Sequence, residues 1–299
     1  MVPDIRTVCP LCQSPKIVNE FNLDVYVYFR CSSCECLFVG NRVQTNLLIN
    51  SYSKDYYEAE STDLNDRRGY PSYMGAQSTL EKSFQRKLNI VKQFVLNGYV
   101  LDAGAAYGTF LRMANSSNKA YSCIGLEISQ YAADVAFHQF GMQVSLGSIE
   151  NAPFPDQTFD AVVMWDVIEH LIEPVDALKE VLRILKPGGC VFISTDDVSN
   201  WLVRLFGQKW WGLAAPLHLC HFSKKGMQAA LRCAGSFDLI GFYKDPRRYT
   251  FAEIIEHFGV SYKSGFLTKL GIWLKKSPMG TLGMEISRPE QFIVAARKM

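Results

Sequence analysis

The stretch from Tyr99 to Thr195 constrains this chain most, because short apolar runs alternate in it with amphipathic segments. Five runs of strand length stand out: YVLDA (99–103), YSCIGLEI (121–128), MQVSL (142–146), FDAVVMW (159–165) and CVFIST (190–195). Between the last two, Val175, Leu178, Val181, Leu182 and Leu185 recur at helical spacing. KPGG follows, and its Pro187 and Gly188 suit the central positions of a type II turn. Upstream, Leu80, Phe84, Leu88, Val91 and Val95 form an apolar stripe that predicts a helix over 76–97, stopping at Gly98. Such alternation predicts an α/β fold, a doubly wound and mostly parallel sheet with helices on both faces. QFIVAARK, near the end, reads as its closing strand. Ligands of such sheets sit beyond the carboxyl ends of the strands.

A second module precedes this one. Cys9 and Cys12 form CPLC, Cys31 and Cys34 form CSSC, and eighteen residues lie between the pairs. That is zinc-ribbon spacing: each turn aims two thiolates at one point, and VYVYFR between them alternates like a strand of a hairpin. Zinc would stabilise a segment too short to build its own core. A redox C-x-x-C or unrelated core cysteines are the competing readings. Cys36 reads as a bystander, and Cys123, Cys190, Cys220 and Cys233 as core or idle thiols. A closed structural zinc points to support of the fold or to a docking surface rather than to catalysis.

The expected organisation is therefore a ribbon over 1–42, a connector and helical cap over 43–97, and an α/β domain over 98–299. Inserts that build a substrate lid are expected at about 196–222 and 247–289. A net charge of +2 over 299 residues, with only three lysines or arginines before residue 37, argues against nucleic acid as the partner. The opening MVPDIRTVCPLC has no apolar signal core, and no eighteen-residue apolar run occurs, so the expected location is cytoplasmic.

LDAGAAYGTFL runs from strand to helix, with Gly104 and Gly108 permitting a tight turn beside a ligand. Glu127 ends the next strand, where a carboxylate can accept both hydroxyls of a ribose. A dinucleotide fits poorly, because G-x-G-x-x-G begun at Gly104 meets Ala106 and then Thr109.

Taken together, LDAGAAYGTFL, GLEIS, GSIENAPFPDQTFDAVVMWDVIEHL and LKEVLRILKPGGCVFIST resemble the class I S-adenosylmethionine-dependent methyltransferases, in particular the group with ubiquinone-biosynthesis-like O-methyltransferases. The likeness is close over about 98–200. It implies a Rossmann-like, seven-stranded sheet and S-adenosylmethionine as cofactor. It also implies that the loop of Asp102, Ala103, Gly104, Ala106 and Gly108 holds the methionine part, with Ala106 in place of the family's middle glycine. Glu127 would take the ribose, Ile128 the adenine, and Ser148 with Ile149 the place where relatives carry an acid for the adenine amino group. Trp165 would lie near the sulfonium.

MWDVIEHL follows, with Asp166, Glu169 and His170 at helical spacing. Asp166 can cap a helix while Glu169 favours its positive end and His170 packs with one nitrogen hydrogen-bonded. Alternatively, these groups act on the methyl acceptor, with His170 or His218 as the base. D-x-x-E-H with a later histidine, His218 or His221, is also similar to the metal site of small-RNA 2'-O-methyltransferases, which raises a catalytic divalent metal. The aromatic segment around Trp201, Phe206, Trp210 and Trp211 is either a lid over the acceptor or a packed helix.

No Asn/Asp-Pro-Pro-aromatic motif is present, which favours a hydroxyl acceptor on a small molecule or saccharide, as in biosynthesis of a secondary metabolite or surface glycan. Two alternatives remain: an RNA methyltransferase docking through its ribbon, and a non-catalytic methyltransferase-like binding protein. FLTKLGIWLKK (266–276) is amphipathic and basic, so peripheral membrane contact is a further, less favoured expectation. Oligomeric state is not legible.

Overall fold

The computed structural model describes residues 5–58, 73–74, 77–117, 120–245, 251–262, 264–275, 277 and 290–299. The remainder of the connector and of the expected 247–289 insert lies outside the described residues.

The chain opens with β1 (Ile17–Leu23), β2 (Tyr26–Cys31) and β3 (Leu37–Val39), then α1 (Thr45–Ser51), α2 (Lys54–Glu58) and α3 (Gln77–Val91). Strict alternation follows: β4 (Gly98–Ala103), α4 (Thr109–Ser117), β5 (Tyr121–Glu127), α5 (Gln130–Phe140), β6 (Val144–Leu146), β7 (Phe159–Trp165), α6 (Pro174–Ile184) and β8 (Leu185–Asp196). The last third holds α7 (Trp201–Phe206), β9 (Cys220–His221), α8 (Lys224–Ala234), β10 (Phe237–Lys244), α9 (Phe251–Ser261), α10 (Gly265–Lys275) and β11 (Gln291–Lys298).

Seven strands form one sheet in the order β10-β11-β8-β7-β4-β5-β6. The five central and distal strands run parallel, and β11 is antiparallel to both β8 and β10. Strand order reverses between β4 and β7, and at that point the carboxyl ends leave a crevice for a ligand. The period of two assigns each face. Leu101, Val162, Met164, Val191 and Ile193 pack with α6 and α8, whereas Val100, Val163, Trp165 and Phe192 pack under Leu80, Phe84 and Leu88 of α3 and Phe110 of α4.

Two boundaries differ from the sequence reading. KPGG does not end an element, because β8 begins at Leu185 and runs through it. Gly188 takes φ +79, as a type II turn would require, but the irregularity is absorbed as a register shift opposite Phe159 and Ala161. FDLIGFYK, passed over in the sequence, is the edge strand β10, half-buried along most of its length.

The cysteine-bearing segment does not close on itself. β1, β2 and β3 form an antiparallel sheet whose fourth strand is β9, with Leu37 opposite His221 and Phe38 opposite Cys220. Ser223 Oγ donates to Cys34 O at 2.5 Å, and Arg6 donates to Ile172 O at 2.6 Å and to the Glu173 carboxylate at 2.8 Å. Cys9, Leu11, Cys36 and Phe38 thus share one core with Cys220, Phe222 and Met227. Among the described residues no helix is long and apolar enough to cross a membrane.

Candidate active site

β4 and β5 bring the first group together. After Asp102 the backbone enters the left-handed region at Gly104 (φ +78), Ala106 (φ +46) and Gly108 (φ +71), turning tightly enough for α4 to start at Thr109. A Cβ on Gly104 would stand 2.4 Å from Val167 Cγ2, so only glycine fits there. Gly104→Ala is expected to cost about 1–3 kcal/mol in denaturant unfolding. Partial recovery in the Gly104→Ala/Val167→Ala double variant would tie that cost to this contact.

Glu127 is buried at the end of β5, and each carboxylate oxygen accepts a backbone N–H, from Ala106 at 2.8 Å and from Ser129 at 2.9 Å. Burial raises its pKa, against the pull of those amides. Asp102 is pushed up to about 8 by burial and then by Glu127. Tyr57 from α2 donates to Glu127 at 3.5 Å and stacks on Tyr107 of the glycine loop, while Ser129 Oγ donates to Tyr52 O at 2.7 Å. The connector thereby roofs this end of the crevice. Ile128 is half-buried beside Glu127. Ser148 lies after β6 but caps the short turn Ile149–Asn151 and donates to Glu150, so its hydroxyl is already engaged. Ile149 is buried.

The second group stands at the ends of β7 and β8. Asp166, Glu169 and His170 do not share one helix face: Asp166 is left-handed (φ +57), and only a single 3-10 turn, Ile168–His170, follows before Leu171 extends. Nor does Asp166 cap that turn. Its N–H is bound by Ser194 Oγ at 3.0 Å, and its Oδ1 accepts from that same hydroxyl at 3.0 Å. Glu169 is buried, accepts from Thr195 Oγ1 at 3.0 Å, and is raised by burial and by the charges of Asp166 and Asp196. His170 Nδ1 lies 2.9 Å from Tyr52 Oη and 3.0 Å from Leu217 O, and burial lowers its pKa to about 3. His170 is thus packed as a neutral ring with one nitrogen hydrogen-bonded.

His218 stands beside it. Its ring stands edge to face with His170 at 4.6 Å, and its Nδ1 lies 2.8 Å from Gly212 O. A carbonyl can only accept, so Nδ1 carries the proton and Nε2 keeps its lone pair. Burial lowers its pKa despite the nearby Asp196 charge. The aromatic segment divides: Trp210 and Phe206 are core, Trp211 is half-buried, and Trp201 points outward at 67% exposure, so the four form no common lid.

Sequence reasoning missed Lys87, Tyr52, Tyr57, Asp196 and Asp245. Lys87 is fully buried, donates to Ser194 Oγ at 2.9 Å, and lies 3.2 Å from Asp245, 3.7 Å from Asp166 and 5.1 Å from the centre of the Trp165 ring. A lysine three residues past Phe84 and four before Val91 lies on the apolar stripe of α3, a signal that could have revealed it.

Away from the crevice, the sulfurs of Cys9, Cys12, Cys31 and Cys34 lie within 4.8 Å of one another. Hydrogen bonds from Cys34 and Cys36 hold the Cys9 thiol far below its ordinary range, and burial pushes Cys12 up to about 12. Four thiols sharing protons in this way fit a tetrahedral metal, which would replace those protons. Cys36 is not one of the four, although its sulfur stands 3.4 Å from Cys9 and 3.3 Å from Cys34.

A doubly wound sheet with a glycine loop after its first strand and a buried acid after its second defines the Rossmann-like class. Within that class, a family model for the methyltransferase domain matches residues 76–237, more than half of the chain, and the chain belongs to this family. An uncharacterized methyltransferase of Schizosaccharomyces pombe is 35% identical over 33% of this chain and 40% of its own. The ubiquinone/menaquinone biosynthesis C-methyltransferase UbiE of Geotalea daltonii is 28% identical over 38% and 52%. The chain spans about half the length of the curated relatives it matches. The solved structure of the [4+2]-cyclase SpnF is similar in fold, with TM-score 0.50 and 18% identity over 85% of this chain and 90% of that one.

Proposed function

We propose that this protein transfers the methyl group of S-adenosylmethionine to a hydroxyl oxygen of a small-molecule or glycan-type acceptor. The observation that carries the reading is the buried Glu127 carboxylate, held by the amides of Ala106 and Ser129 beside the glycine loop. Oε2 keeps capacity for one more donor, and Oε1 gains it when the long contact from Tyr57 gives way, so a ribose diol can be taken by both oxygens. Bound there, the cofactor brings an electrophilic methyl group on a sulfonium. The loop from Asp102 to Gly108 would hold its amino-acid end, and Trp165 would close the apolar wall near the sulfonium.

The acceptor is expected against Asp166, Glu169 and His218. Neutral His218, with Nδ1 tied to Gly212, offers Nε2 to a hydroxyl proton. His218→Gln is expected to lower kcat by roughly 10²–10⁴-fold while leaving the Kd for S-adenosylhomocysteine unchanged. Because the His218 pKa is lowered, the base stays neutral to lower pH, and the acid limb of the kcat profile should lie below an unperturbed histidine's value of about 6.5. Normal turnover in the variant would remove His218 from the reaction. The acceptor class is tested with methyl-tritiated S-adenosylmethionine and fractionated extract: label in small molecules or glycans supports it, and label in RNA overturns it.

A further inference from the structure

Three groups near the acceptor wall have unused ligand atoms. Asp196 ends β8, two residues beyond Ser194, and its Oδ1 accepts from Gln291 Nε2 at 3.1 Å while Oδ2 has no hydrogen-bond partner among the described residues. His221, in β9, is fully buried, and neither ring nitrogen has a partner among the described residues. Its Nδ1 stands 3.8 Å from Asp196 Oδ2, too far for a hydrogen bond. His218 completes the set, and one ligand atom from each of the three lies within 4.8 Å of the others. Trp210 meets the His221 ring edge to face at 5.1 Å.

Buried polar atoms are almost always satisfied, and leaving one unpaired costs about 1–3 kcal/mol. Several orphans in one place therefore call for a ligand that accepts lone pairs from imidazole and carboxylate together. A water molecule can donate two hydrogen bonds but cannot neutralise charge. The carboxylates here, Asp166, Asp196 and Asp245 against Lys87, favour a cation.

We propose that Asp196, His218 and His221 bind a divalent first-row transition ion, with open positions facing the acceptor. Two histidines and one carboxylate leave such an ion coordinatively unsaturated. The supports that orient metal ligands are already in place: His218 gives its Nδ1 proton to Gly212 O, and Gln291 fixes the Asp196 carboxylate. The set is not the D-x-x-E-H pattern of the sequence. His170 is tied to Tyr52 and Leu217, and its place is taken by Asp196 from the next strand. The inference deepens the methyl-transfer reading by making His218 a ligand rather than a free base. A hydroxyl on such an ion loses its proton to water at lower pH than a free one.

Mn²⁺ is the probe, because soft thiolates do not select it and the cysteine centre stays out of the measurement. The full chain is equilibrated with Mn²⁺, desalted, and read by metal analysis and electron paramagnetic resonance. The wild type is expected to hold one Mn²⁺ more than its Asp196→Asn and His221→Gln variants. Gln291→Ala should bind roughly 10–100-fold more weakly. Circular dichroism and binding of S-adenosylhomocysteine, measured on the same samples, verify that each variant is folded. No Mn²⁺ on the folded wild type, or equal Mn²⁺ on the folded variants, overturns the site. If either occurs while His218→Gln still slows turnover, the base reading of His218 stands alone. Mn²⁺ on the wild type but not on the variants, with no methyl transfer to any fraction, upholds the site and rejects the activity.

Discussion

Replacing Glu127 with alanine is expected to abolish measurable binding of S-adenosylhomocysteine. The carboxylate is buried and held by the amides of Ala106 and Ser129. Hydrogen bonds to a charged group contribute about 1.5–3 kcal/mol each. Loss of two ribose contacts would weaken binding by roughly 10²–10⁴-fold at 1.4 kcal/mol per tenfold. The amides of Ala106 and Ser129 would also lose their acceptor, loosening the loop. Titration calorimetry on the folded variant checks this, and an unchanged Kd would remove the cofactor from this crevice. Glu127→Gln keeps the shape but loses the charge, and is expected to fall between the two.

Comparable in size is the effect of breaking the cysteine centre. The Cys9→Ser/Cys34→Ser variant is expected to lose its metal and to unfold cooperatively at much lower temperature. Structural zinc contributes on the order of 10–16 kcal/mol in small metal-dependent folds, comparable to an ordinary domain's whole stability. Here the damage should spread, because β3 pairs with β9 and β9 carries His221. Metal content and Tm together test it, with exposed Cys233→Ser as the unaffected control. Full metal content with an unchanged Tm would show that the four sulfurs hold nothing of consequence.

What could be foreseen from the sequence was what is encoded locally. The strand ends carrying Asp102, Glu127 and Trp165 follow from apolar periodicity and turn residues, which act over a few positions. The structure sets these residues along adjacent strand ends. The acceptor side was only partly legible, because it is assembled from distant segments. Lys87 comes from α3, Tyr52 from the connector, Asp196 from β8, and His218 and His221 from the run into β9. Asp166, Glu169 and His170 were found, but their geometry was misjudged: helical spacing presumes a helix, and a single left-handed residue at Asp166 prevents one. Cys36, whose spacing fits no motif, lies beside the four sulfurs without being one of them.

The four-stranded small sheet also sets an order of events during synthesis. Cys34 and Ser223 are bonded across 189 positions of chain. At about 5–20 residues per second, a ribosome needs roughly 10–40 s to supply the missing strand after the cysteines emerge. Throughout that interval the open edge of β3 has no partner from its own chain, and unpaired edges invite association with other molecules. Early capture of a metal by Cys9, Cys12, Cys31 and Cys34 would hold the hairpin in register until β9 arrives. Metal supply during translation, rather than afterwards, should then govern the yield of native protein.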